Sequence, residues 1–371
     1  MMKKTIFFML CLAPMGAWGA PFTGGIVGNG GEGNNASGFE ATDGIAVSAM
    51  EIGVTPPETL PDDNNVLYAG TNINKGDPTT GVGGFTITSR AEINGGALRI
   101  SKGYVLNIQN TLNSNINMTF SSIDANGYLT IRDADALTIN GASEIDNGVL
   151  ISAQSMTTGD FNINGGASGI NVENTLEMAA LTTGANAGAV DITAGDVNID
   201  GDLVHSVANT MDINAGAGNI TVGGTVTNGN NGGAMSLTAA NLTVNGGSAE
   251  NGSFVNSGDL TIVVSETTKL EYGFNLAGMG VDNTFSLTTG ALEFGENASP
   301  DMWASAFTNK LNSFTLKITD SDYTIASNVI NGITNEDTSN PTFNSDANMT
   351  IVANALTIGS ATDSADVINY G

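Results

Sequence analysis

Apolar and small polar residues alternate along this chain in short paired runs. In "VDITAGDVNIDGD", residues 190–202, Val190 and Ile192 fall on one face of an extended segment and Asp191 and Thr193 on the other. After a turn at Ala194-Gly195-Asp196 the alternation restarts at Val197-Asn198-Ile199 and ends at Asp200-Gly201. The same unit recurs in "FTITSRAEINGG" (85–96), "YLTIRDADALTINGA" (128–142), "MDINAGAGNITVGG" (211–224), "MSLTAANLTVNGG" (235–247) and "MTIVANALTIGSA" (349–361). Each unit has too narrow an apolar face to keep itself dry. Stacking successive units places Ile over Val over Leu in one continuous core.

The expected fold is therefore all-β, a parallel β-solenoid (β-helix) with short strands and Gly/Asn-rich turns. The dipeptides Asn140-Gly141, Asn164-Gly165, Asp200-Gly201 and Asn245-Gly246 are read as the turns that follow second runs, at intervals of 24, 36 and 45 residues. Coils of roughly 20 to 25 residues with variable loops accommodate these intervals. Asn-Gly and Asp-Gly also favour hairpins, so an antiparallel sandwich stays open as the alternative. One stretch departs from period two: in "ASPDMWASAFTNKLNSF", Ser299 and Pro300 suit a helix start, and Trp303, Phe307 and Leu311 recur every four residues. A short helix is expected over 300–311.

Composition divides the chain. Lys3 and Lys4, the apolar "TIFFMLCLAPM" and the small-residue "GAWGA" read as a secretory signal peptide over 1–19, cleaved after Gly19. Its removal takes away the single Cys11, so neither a disulfide nor a lipid anchor is expected in the mature chain. Residues 20–80 are loop-rich, hold five of the eight prolines and are expected to include an N-terminal cap. No proline occurs from Thr79 to Ser299, as suits a ladder that needs every backbone N–H. The solenoid proper is assigned to 81–298, a helix-containing insertion or cover to 299–325, and further coils to 326–371.

Charge narrows the partners. The full chain has a net charge of −27, and loss of Lys3 and Lys4 leaves eight basic against 37 acidic residues, a net −29. No Lys or Arg occurs from Asp133 to Thr268. Such a surface repels nucleic acid and anionic lipid. No transmembrane segment is expected after signal removal, and the low aromatic content argues against a membrane barrel with two aromatic girdles.

Catalytic chemistry is sparse. His205 is the sole histidine, which excludes multi-histidine metal sites, and it reads as a solvent-facing or locally bonded side chain. Asp133 and Asp135, with Arg132 nearby, offer an imaginable carboxylate site on one strand face, but they are read in preference as ordinary solvated carboxylates. Asp196, Asp200 and Asp202 cluster at turns and raise the prospect of structural calcium, although neither an EF-hand loop nor a calcium-roll nonapeptide is present. No catalytic, cofactor-binding or metal residue is assigned, and no cofactor is expected.

Stretches such as "FNINGG", "VNIDGD" and "LTVNGG", together with the signal peptide, give residues 81–361 the texture of a secreted bacterial surface β-solenoid. The chain resembles autotransporter passengers and filamentous-haemagglutinin-type adhesins, without a visible translocator barrel. That resemblance implies export to the periplasm or cell surface of a Gram-negative-type bacterium, right-handed parallel coils, and a role in adhesion, coating or assembly. Glycans, surface proteins or further copies of the chain are the partners it implies. A non-catalytic structural or adhesive protein is the expected function, and a polysaccharide-degrading β-helix enzyme, lyase or hydrolase, is the alternative.

Overall fold

A computed structural model describes residues 22–23, 27–28, 36–41, 45–52, 66–69, 85–89, 93–100, 105–110, 117–206, 209–229, 233–248, 252–273, 283–296, 307–309, 312–325, 329–331, 347–358 and 367–369. The expected signal peptide lies outside these residues.

Every pairing between the strands of the ladders is parallel, and partners lie about one coil apart in sequence. Among the described residues the one antiparallel contact is an isolated bridge, Ser248 to Gly252. The hairpin alternative is thereby overturned. At the Asn-Gly and Asp-Gly sites the chain turns a corner without reversing, and the N–H groups of Asp200 and Asn245 bond the Met178 and Val222 carbonyls of the preceding coils.

Three ladders alternate in chain order, giving a β-solenoid-like topology. The first side runs through Met211–Asn214, Ala234–Ala239, Asp259–Val264, Thr284–Thr289, Ser313–Ile318 and Asn348–Val352. The second runs through Asn219–Val222, Asn241–Val244, Thr267–Leu270 and Ala291–Phe294. The third contains Leu203–His205, Val226–Asn228 and Phe254–Asn256. Strands from Phe22–Thr23 onward join parallel ladders too, with Ile45–Ile52 pairing on Ile93–Ile100.

Period-two alternation dictates what is buried. Val190, Ile192, Val197 and Ile199 are each 1 % exposed, whereas Asp191 and Thr193 face solvent. One apolar cluster extends from Leu98 to Ile325, built by stacking such as Met211 on Met235 on Leu260 and Ile213 on Leu237 on Ile262.

Coil length varies, and this explains the uneven turn spacing. Met118, Leu137 and Met156 stack at intervals of 19 residues, but Phe314 and Met349 stack at 35. Asn140, Asp200 and Asn245 all follow second-side strands, whereas Asn164 follows Ile163, which pairs on the third side with Ile145. The four dipeptides thus belong to two corners of the coil, and no single repeat links them.

Some corners require glycine. Gly166 adopts φ of 67°, and a Cβ there would fall on the Asn147 carbonyl of the preceding coil.

The helix expected over 300–311 is corrected where it is described. Phe307–Asn309 is a β-strand in parallel register with Val329–Asn331. Residues 300–306, Trp303 included, and Leu311 lie outside the described residues. Residues four apart share a face in a strand as well as on a helix, so the spacing of Trp303, Phe307 and Leu311 does not discriminate between the two. Ladder pairing then decides the conformation.

Candidate functional site

The third side carries a pattern that the paired-run reading overlooks. Val226-Thr-Asn228, Phe254-Val-Asn256, Phe307-Thr-Asn309, Val329-Ile-Asn331 and Val367-Ile-Asn369 all end in asparagine, and Asn228 pairs with Asn256 as Asn309 pairs with Asn331 and Asn331 with Asn369. Asn228 and Asn256 are fully buried. Asn228 Nδ2 donates to Asn256 Oδ1 at 3.1 Å and to the Asp259 carbonyl at 2.9 Å, and Asn256 Nδ2 donates to the Thr284 carbonyl at 3.1 Å. These buried amides tie the end of one coil to the start of the second coil beyond it. A recurring apolar-x-Asn triplet was the available signal.

His205 extends the same buried polar stack. It is 0 % exposed, which corrects the solvent-facing reading, while its local bonding is as expected. Leu203 and His205 are two apart, so the imidazole must point inward with the leucine. Its Nε2 lies 2.9 Å from the Asn209 carbonyl, an acceptor only, so Nε2 carries the proton. Nδ1 then accepts from the Thr183 hydroxyl at 3.1 Å, and that oxygen in turn accepts the Ser206 N–H at 3.1 Å. Burial lowers the imidazole pKa, partly offset by the bond to the Asn209 backbone.

A pH dependence follows. The unfolded chain's histidine, near its ordinary value of about 6.5, binds a proton before the folded one does. The His205 contribution therefore destabilises the fold as pH falls below about 6.5 and levels off below the lowered folded pKa. Urea unfolding of the wild type and of His205→Gln at pH 7.5 and pH 5 should show the larger acid-induced loss in the wild type. Equal losses would contradict the buried neutral assignment.

The acidic residues weighed in the sequence do not converge. Arg132 and Asp133 form a bulge between Ile131 and Ala134, with Asp133 at φ of 59°. There the Asp133 N–H donates to Ser152 Oγ, which donates back to Asp133 Oδ1, both at 3.3 Å. The Asp135 carbonyl accepts from Ser155 Oγ at 3.4 Å. Asp196 Oδ1 accepts the Asn219 N–H at 2.7 Å, and Asp202 Oδ1 accepts the Thr225 N–H at 2.8 Å. Asp196 thus precedes the second side and Asp202 follows it, each bonded to the next coil. Among the described residues no three His, Cys, Asp or Glu side chains are grouped to hold a metal.

Sequence reasoning also missed an open polar groove of about 410 Å³ on the outside of the second side. It crosses five consecutive coils, taking Thr157, Glu177, Asn198 and Thr221 from the strands and Asp200, Gly223 and Asn245 from the corner. Thr157 Oγ1 donates to Glu177 Oε2 at 3.3 Å. By contrast, the side chains of Asn198, Asp200, Thr221 and Asn245 make no hydrogen bond to another described residue. The opposite corner differs: Asn241 Nδ2 bonds Asn219 Oδ1 and Glu266 Oε2, each at 3.0 Å, and Asn241 Oδ1 accepts the Thr267 N–H. Only when coil lengths are known do the groove residues come into line, so irregular spacing hid them.

Fold and site together define an all-β protein of parallel, β-solenoid-like topology with a polar groove along its stacked coils. Comparison with protein-family models, curated proteins and solved structures finds no match to this chain. No helix among the described residues is long and apolar enough to cross a membrane.

Proposed function

We propose that this chain is a non-catalytic structural or adhesive protein, exported from the cytoplasm, that presents polar groups on a solenoid scaffold. The observation that carries the reading is the repetition of small polar side chains in register: Asp212, Ser236, Thr261, Ser286, Thr315 and Thr350 occupy equivalent outward positions on six successive coils. Coil spacing of about 4.8 Å makes such a row a regular surface for multivalent contact. Glycans and surface proteins are the partners, and stacking of copies end to end is the form of self-assembly. The acidic balance disfavours nucleic acid.

Cleavage after Gly19 gives an exported product whose N-terminal sequence begins at Ala20. The functional test is a binding screen of that product against glycans and matrix proteins, with analysis for cleavage products. Binding without turnover is expected. The groove's two carboxylates, Glu177 and Asp200, favour one rival reading, a glycan-cleaving enzyme. Turnover lost on Glu177→Gln, Asp200→Asn or Asp133→Asn would establish that reading instead.

A further inference from the structure

We propose that the groove beside the second side binds a neutral, hydroxyl-rich polysaccharide laid along the stacking direction. This rests on the adhesive reading and names the ligand class. Five coils at about 4.8 Å make a track of roughly 19 Å, so its polar groups recur at a near-constant interval, as do those of a polymer of identical sugar units. Asn198 and Asn245 supply amide donors and acceptors, Thr221 a hydroxyl, and Asp200 a carboxylate that can accept two neighbouring sugar hydroxyls. None of the four is engaged by another described residue. Thr158 also lines the groove, and its hydroxyl is buried without a hydrogen-bond partner among the described residues.

Charge and composition select among ligands. An anionic chain, whether uronate, sulfated glycan or nucleic acid, needs cations to offset its charge, and no Lys or Arg occurs from Asp133 to Thr268. Protein partners are typically anchored by aromatic or arginine side chains, and none lines this groove. A neutral saccharide needs neither.

The test is calorimetric titration of the purified full chain with neutral hexasaccharides of β-glucan, chitin, mannan and xylan type, and with hexagalacturonate. Saturable binding of at least one neutral oligosaccharide and none of the uronate is expected. Asn198→Ala combined with Thr221→Ala should weaken it at least about tenfold with an unchanged melting temperature. Thr243→Ala, on the same outward row but outside the groove, should leave affinity unaltered. Failure of every neutral oligosaccharide to bind, equal binding of the uronate, or indifference to the double substitution would overturn the inference. Adhesion that persists in the screen above despite such a failure would remove the groove's role and leave the adhesive reading standing.

Discussion

Ile192→Asp should destabilise the protein by at least about 4 kcal/mol, whereas Thr193→Asp, one residue along, should cost no more than about 1 kcal/mol. Ile192 is 1 % exposed and stacks on Ile213, whose own neighbour is Leu237. A carboxylate at that position meets the apolar side chain of the following coil inside the continuous core, and no Lys or Arg occurs from Asp133 to Thr268 to offset it. Thr193 faces solvent beside Asn214, so an aspartate there keeps its water. Urea unfolding followed by circular dichroism measures both substitutions. Equal destabilisation would mean that the faces are wrongly assigned. Because each coil supports its neighbours, the loss should spread beyond the substituted coil.

Phe285→Ala should cost about 3–5 kcal/mol. Its ring is fully buried between two others, edge-on to Phe254 with centroids 5.8 Å apart and stacked on Phe314 at 5.5 Å. Truncation leaves a cavity bounded by these rings, which belong to different coils and cannot both close on it. Ser286→Ala, on the outward face of the same strand, should change stability by about 0.5 kcal/mol or less. A cost below about 1 kcal/mol for Phe285→Ala, measured in the same unfolding experiment, would show that the rings do not form a shared core across the coils.

Resemblance in texture and physical pattern point the same way for the scaffold, but the polar interior separates what each could supply. Alternation made Leu203 and His205 inward neighbours at the level of sequence, yet a lone histidine is ordinarily solvated. Thr183, 22 residues earlier, and the Asn209 carbonyl together make its burial tolerable. Asp133, the carboxylate most suggestive of catalysis in the sequence, is bonded to Ser152 of the next coil and does not line the groove. Asp200, one of three acids read together as a calcium candidate, does line it, apart from the other two.

By itself the sequence determined the all-β character, the inward set such as Val190, Ile192, Val197 and Ile199, and the need for units to stack. These follow from the alternation of strand side chains and from an apolar face too narrow to stand alone. Tertiary structure decided parallel pairing over hairpins, the third side with its buried asparagines, Phe307–Asn309 as strand, and the alignment of Asn198, Thr221 and Asn245 along one groove. Each of these depends on a partner one coil away, at an interval that is not constant: 18 residues separate Ser143 from Phe161 and 38 separate Asn331 from Asn369. Local propensity reaches only a few residues along the chain, and so the closure of each coil had to choose among registers that the local pattern left equivalent.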